Sequence, residues 1–410
     1  MHDRSRKQVA DCQENFNYEQ DINYTLKMCQ WVLKTIGMWP LIYNRTSKLE
    51  KLVSIGLLIT CFSCLLFFLI PFLYYMFSEN NGKVKVKLIA SVIFCLACTM
   101  KYCFLVLQGA GFKRCILHIE RDWRTVNNPN HRNIMLRHVN ISKNLNILCA
   151  AFLYTAGLSY HAIIPLLSKG KAKANSTGKS LAYPVYDPFF DTKSSPTYEI
   201  IFCIQFVTGL IRYSITLGAF SLAVLCVTHI CGQIQIQISR LENVIRNKKD
   251  KHSDRNAFAI IVRDHAEILR FSKNVEETLG QICLTQIVES TLVICCLLYN
   301  TLTEWQNRNM IAVSTYSIYL ISFTFNIFIF CYTGEILSEQ CSQIGPASYG
   351  IEWYNLLPKK AYNLVLLNVV SLYPPKLMGG KIIELSLNTF GAVLKTSVVY
   401  FNLLRTLADW

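Results

Sequence analysis
Four charged side chains interrupt long apolar stretches of the sequence: Lys101, Arg212, Glu289 and Lys395. A charge in hydrocarbon is costly and is kept where it is paired or serves a pathway. Pairing of Arg212 with Glu289 inside a helix bundle is one arrangement that satisfies two of them. For Lys101 and Lys395 the alternative is that the long stem reaches an interface and leaves the ammonium in water. The 17 cysteines include two C-x-x-C pairs, Cys61/Cys64 and Cys95/Cys98. Neither has a His or Asp beside it to complete four zinc ligands. Both read as small apolar filler, and no metal or other cofactor is expected. His161 is a lone candidate for a general base or for a pocket wall. H-E-x-x-H, G-x-S-x-G and Gly-rich phosphate loops are absent, so no catalytic constellation is offered.

The elements that must carry these residues are membrane helices. Of 410 residues, 52% are hydrophobic and only 16% charged, against roughly 25% charged in a soluble domain. A helix spans the bilayer in about 20 apolar residues. Seven runs qualify: Leu49–Tyr74, Val86–Gln108, Val139–Pro165, Tyr198–Val227, Gly280–Asn300, Met310–Cys331 and Ile382–Leu404. Residues 1–48 lack an early apolar core, so the first run is expected to act as the signal anchor. The net charge of +15 sits between the runs, which suits anionic lipid better than nucleic acid. Counting Lys and Arg flanking the runs places 26 on the N-terminal side of the membrane and 9 on the other. Basic residues stay in the cytoplasm, so the N-terminus is expected inside and the C-terminus outside. Asn175-Ser176-Thr177 in the long outer loop is then a glycosylation candidate. Asn23, Asn44 and Asn140 head similar triplets on the inner side.

Beyond the fourth run, ICGQIQIQISRLENVIRN keeps helical apolar spacing, as does AFAIIVRDHAEILRFSKNVEETL before the fifth. These segments read as a cytoplasmic helical hairpin or as a pair lying on the membrane surface. The last run differs from the others. Asn388, Gly391, Lys395, Asn402 and Thr406 share one helical face. A polar stripe in a membrane must face protein or water, so it lines a pore on an oligomer axis or packs against neighbouring helices. Aromatics gather toward the outer half of the runs: Phe94 beside Ile93, Phe152, Tyr160, Phe206, Tyr213, Tyr316 and Tyr319. They wall an apolar ligand pocket or fill the bundle.

The C-terminal stretch resembles the insect odorant receptors. The resemblance rests on Ser386-Leu387, Phe390, Leu394-Lys395-Thr396-Ser397, Tyr400-Phe401 and Leu403-Leu404. Upstream it includes Tyr349, Glu352, Trp353, Leu356-Leu357, Lys359-Lys360 and Leu364 to Leu366, and near the N-terminus Trp39-Pro40. Motif agreement is concentrated in about the last 60 residues. The resemblance implies an odorant-gated nonselective cation channel, a heterotetramer of tuning subunits with a co-receptor subunit. The short linker between the fourth and fifth spans is that of a tuning subunit. It also implies a pore lined by the last helix, with Leu403 and Leu407 as an outer hydrophobic gate and Asn402 and Thr406 on the flank. The volatile organic ligand would sit among spans two, three, four and six.

The expected architecture is all-α and polytopic. Residues 1–48 form a cytoplasmic segment, and 49–230 hold spans one to four with the outer loop 166–197. Residues 231–279 form the cytoplasmic hairpin, and 280–333 hold spans five and six. Residues 334–381 are a cytoplasmic anchor with a short helix, and 382–410 are the pore-lining helix and extracellular C-terminus. The competing readings are an inverted seven-helix receptor without conduction and a multi-pass membrane enzyme or transporter.

Overall fold
A computed structural model describes residues 15, 17–43, 46–80, 82–163, 197–246, 253–350 and 358–408. The chain forms α1 (Tyr18–Thr35), α2 (Trp39–Ile42), α3 (Lys48–Ser78), α4 (Gly82–Leu107), α5 (Gly109–Thr125) and α6 (Pro129–Leu158). A π-helical turn, Ser159–Ile163, continues α6. Then come α7 (Thr197–Arg246), α8 (Ser253–Gln306), α9 (Met310–Ser342), α10 (Ile344–Tyr349), α11 (Pro358–Ser371) and α12 (Leu387–Ala408). A two-stranded hairpin, β1 (Met378–Gly379) with antiparallel β2 (Ile383–Glu384), precedes α12. Asn175, most of the loop 166–197 and the motif residues Glu352 to Leu357 lie outside the described residues.

Capping chemistry sets several boundaries. The Glu50 amide donates to the Ser47 hydroxyl at 3.1 Å, and the Ser47 amide donates to the Glu50 carboxylate at 3.1 Å. This reciprocal cap fixes the start of α3. Asn128 caps α6 through the Asn130 amide at 2.8 Å, with Pro129 in the first turn. Polar residues therefore begin this helix ten positions before the apolar run read from sequence. The last run is also displaced: Ile383 belongs to β2, and α12 starts only at Leu387. Gly380 and Lys381 take φ of +60° and +62° to close the hairpin, and the Gly380 amide donates to the Gly280 carbonyl at 2.8 Å, pinning it to α8.

Five helices are long and apolar enough to cross a membrane among the described residues: α3, α4, α7, α8 and α9. The helices matching the third and seventh runs, α6 and α12, carry more polar side chains and fall outside that set. At α6 several polar groups turn into the bundle: Ser142 and Asn146 are both buried. Helix α3 is apolar all round and leaves most of its surface exposed, including Leu52, Ile59, Ile70 and Phe77, as a lipid-facing helix does. Helix α7 is the opposite, with its apolar stretch wholly buried at the centre of the bundle.

At 50 and 54 residues, α7 and α8 are each about 75–80 Å long, far beyond the ~30 Å of hydrocarbon. Their extensions pack side by side. Arg240 pairs with Asp264 at 2.6 Å, and His265 Nδ1 lies 3.0 Å from Gln237 Oε1. Leu241, Ile261, Ile344, Leu364 and Leu367 form a separate small core with α10 and α11. Helix α5 joins this region through His229, whose Nε2 lies 2.8 Å from Asp122. His118 stacks on Phe271 at 4.3 Å, and burial lowers the pKa of that imidazole.

Glu289 pairs with Lys101, not with Arg212. The ion pair joins α4 to α8, and both groups are buried. Lys101 Nζ also donates to Gln286 Oε1 at 2.6 Å, and Gln286 Nε2 donates to Ser290 at 3.0 Å. Arg212 instead lays its guanidinium 4.8 Å from the Phe68 ring and 5.5 Å from Phe94. Opening a buried pair strands a charge at ~3–5 kcal/mol, whereas replacing both partners by apolar groups is close to neutral. Lys101→Met and Glu289→Met are each expected to lower the melting temperature of the detergent-purified protein. The double substitution should recover most of the loss; additive losses would show that the two charges are not coupled.

Candidate ligand pocket and pore helix
Gly157 lets two helices approach where a pocket forms. A Cβ at this position would overlap the Tyr213 ring, so only glycine admits that ring against α6. Tyr213 in turn stacks on Phe94 at 5.8 Å, and its hydroxyl bonds to the Tyr319 hydroxyl at 2.9 Å. Phe323 meets Phe94 edge-on at 5.3 Å, and Tyr160, from the π-helical turn, meets Tyr319 edge-on at 5.3 Å. These rings and Tyr316 border a cavity of about 40 Å³.

Five of the sequence-predicted residues therefore meet at one cavity: Phe94, Tyr160, Tyr213, Tyr316 and Tyr319. Three do not. Ile93 packs on the core beside Phe94. Phe152 stacks on Phe325 at 4.1 Å, and its carbonyl accepts from Ser322, joining α6 to α9. Phe206 meets His161 edge-on at 6.1 Å. Sequence reasoning missed Phe323 and the whole α8 wall of Val293, Leu297 and Asn300. The signal for the α8 wall was its spacing of four and three residues, which an aromatic search passes over.

The mouth is polar. Lys87 pairs with Glu304 at 2.5 Å, Asn309 donates to the same carboxylate at 3.0 Å, and Asn300 donates to the Lys87 carbonyl at 3.4 Å. A cavity with aromatic walls and a few polar groups at one end suits a small, mainly apolar ligand. Among the described residues no group of three or more metal-ligating side chains is assembled.

Helix α12 is docked by its motif residues. The Thr389 amide donates to the Ser386 hydroxyl at 3.2 Å, making Ser386 the N-cap. The Leu387 amide donates to Glu335 of α9 at 3.0 Å. Phe390 packs edge-on against Phe328 at 5.4 Å, and Ser397 donates to the Thr291 carbonyl of α8 at 2.9 Å. Val393 and Ser397 are buried. The opposite face carries Asn388, Lys395, Val399, Asn402, Leu403 and Thr406, all exposed. Asn402 and Leu403 are about 100° apart on the helix, yet both belong to this outward half. Leu407 lies one turn beyond Leu403 in the same helix.

A multi-pass helical membrane bundle with a buried aromatic cavity and a polar final helix has the build of a membrane receptor. The family model described as 7tm Odorant receptor matches residues 81–398, and the chain belongs to that family. It is 22% identical to Odorant receptor Or2 of Anopheles gambiae over 74% of this chain and 79% of the relative. It is 26% identical to Odorant receptor 10 of Aedes albopictus over 55% of this chain; that match spans 60% of the relative's length. The fold is that of the insect olfactory receptor OR5 from Machilis hrabei in complex with eugenol, with a TM-score of 0.79 at 15% identity. That match covers 95% of this chain and all of the other. These relatives are receptors rather than enzymes.

Because the Tyr213 ring occupies the space of a Cβ at 157, Gly157→Ala is expected to destabilise the protein by ~1–3 kcal/mol through overpacking. Adding Tyr213→Leu should relieve the clash and raise the melting temperature above that of Gly157→Ala alone. No recovery would show that the ring is free to move away.

Proposed function
We propose that the protein is the odorant-binding subunit of a ligand-gated, nonselective cation channel. It works in the plasma membrane of sensory-neuron dendrites as a heterotetramer with a co-receptor subunit. Its N-terminus is cytoplasmic and its C-terminus extracellular. A volatile organic molecule enters the cavity between Phe94, Tyr160, Tyr213, Tyr316 and Tyr319 and gains chiefly from desolvation, at about 25 cal/mol per Å² buried. The pore runs along α12, with Leu403 and Leu407 forming a dewetting constriction and Asn402 and Thr406 turned toward the neighbouring subunit.

The observation that carries this reading is the face of α12. A helix in a bilayer that shows Asn388, Lys395, Asn402 and Thr406 away from its own bundle must find protein or water there. A pore shared between subunits provides both. Family membership supports the ligand class, and the similarly folded Machilis hrabei receptor has been solved with eugenol.

Expressed with a co-receptor in an otherwise silent cell, the chain should give odorant-evoked cation current that needs both subunits. Silence across a broad odour panel despite surface delivery of both chains would refute it. In the same assay Leu403→Ala should raise leak current or alter ion selectivity. Unchanged leak, conductance and selectivity would remove Leu403 from the pore.

A further inference from the structure
A second cavity lies away from the aromatic pocket. Where α1, α6 and α7 meet there is a cavity of about 170 Å³. Met28, Cys29, Val139 and Leu225 supply apolar wall. Three of the polar side chains beside them, Thr25, Asn146 and Ser221, hydrogen-bond within the protein. Ser221 donates to Asn146 Oδ1 at 2.7 Å, Asn146 Nδ2 donates to the Ser142 carbonyl at 3.0 Å, and Thr25 donates to the Asp21 carbonyl at 2.7 Å. The interior thus makes little demand for water and suits a hydrocarbon occupant.

The rim is different. Lys27 and Lys143 border the cavity and are both exposed. Among the described residues neither has a carboxylate within ion-pair distance. The Lys143 ammonium lies 5.7 Å from the centre of the Tyr24 ring, whose hydroxyl donates to Asn140 at 2.7 Å. The same two helices expose Ile141, Ile147 and Leu148 on α6 and Trp31 on α1, the last 72% exposed. A tryptophan, a tyrosine and lysines beside exposed aliphatics mark a membrane–water interface.

Two helices run on from that region toward the opposite side of the bundle. Ser221 is 24 residues from the start of α7, about 36 Å along the axis. Lys143 is 15 residues from the end of α6, about 22 Å, with the π-helical turn beyond it. Both lengths are of the order of the ~30 Å hydrocarbon thickness. With the orientation proposed above, on which this step rests, the cavity opens at the cytoplasmic leaflet, where anionic lipid is concentrated.

We infer that this cavity is a binding site for one anionic phospholipid of the inner leaflet, with an acyl chain in the apolar space between α1, α6 and α7 and its headgroup held by Lys27 and Lys143. The charge of the two lysines selects the headgroup, and the mainly apolar interior selects the chain. The site is distinct from the aromatic pocket in place and in ligand chemistry.

The test is thermal melting of the full-length protein in detergent, titrated with dioctanoyl phosphatidylserine. The serine lipid should raise the melting temperature with at least tenfold tighter apparent affinity than dioctanoyl phosphatidylcholine, and soluble glycerophosphoserine should do nothing. Lys27→Gln with Lys143→Gln should abolish the preference, while Lys27→Arg with Lys143→Arg should keep it. Equal response to both lipids, a response to glycerophosphoserine alone, or a preference that survives the double Gln variant would each overturn the site. Melting reads no current, so loss of odorant gating with lipid preference intact would sink the channel reading alone. Labelling of Lys27→Cys by an impermeant maleimide from the outside would reverse the orientation separately.

Discussion
Hydrocarbon offers no partner to a polar group, and this one constraint orders the interior of the bundle. Lys101 and Glu289 would each be untenable alone in lipid. Together, with Gln286 and Ser290 completing the cluster, they tie α4 to α8 at the middle of the protein. The same logic recurs on a smaller scale. Ser221, Asn146 and Ser142 close a chain between α7 and α6. Tyr213 and Tyr319 share a hydroxyl contact between α7 and α9. Asn326 donates to the Cys149 thiol at 3.3 Å between α9 and α6. Lipid-facing apolar surface gives little reason for helices to associate, so packing and such bonds hold them.

The same constraint makes α12 informative. Its inner face is fully accounted for by Ser386, Phe390, Val393 and Ser397, which cap, pack and bond it onto α8 and α9. Its outer face is more polar than the exposed faces of α3 and, among the described residues, stays exposed. The C-terminal motif is thus first a docking motif. It fixes the rotation of α12, and rotation decides which residues are left to face outward.

Much of this was legible in the sequence, unevenly. Five of the seven apolar runs lie on the long helices, because α3, α4, α7, α8 and α9 must be apolar over a membrane's thickness whatever else they do; α3 and α4 end close to the runs, whereas α7, α8 and α9 continue well past them. The third and seventh runs were blurred at their starts. Polar residues cap and extend α6, and Ile383 is apolar for the sake of a hairpin rather than a span. The charges were legible as a set but not as partners: nothing in a linear chain ranks Lys101 above Arg212 as the neighbour of Glu289. The aromatic positions were legible wherever the ring itself is the wall. Phe152 and Phe206 carry the same signal yet serve helix packing, while the aliphatic wall of α8 carries no signal of type, only of spacing.

That aliphatic wall matters because of what else α8 holds. Glu289 pairs across to α4, the Thr291 carbonyl receives Ser397 of α12, and Val293 borders the aromatic cavity. From Thr291 to Val293 is about 3 Å of helix axis, and to Asn300 at the cavity mouth about 14 Å. A ligand in this narrow cavity presses on its walls, and close-packed interiors pass displacement on rather than absorb it. Rings from α4, from the π-helical turn after α6, from α7 and from α9 border the cavity, whereas α8 presents Val293 and Leu297. Displacement of that wall bears on the helix that carries the hydrogen bond seating α12. In the proposed channel the shortest mechanical route from ligand to pore therefore runs along two turns of α8, with the Lys101–Glu289 pair as its fixed point.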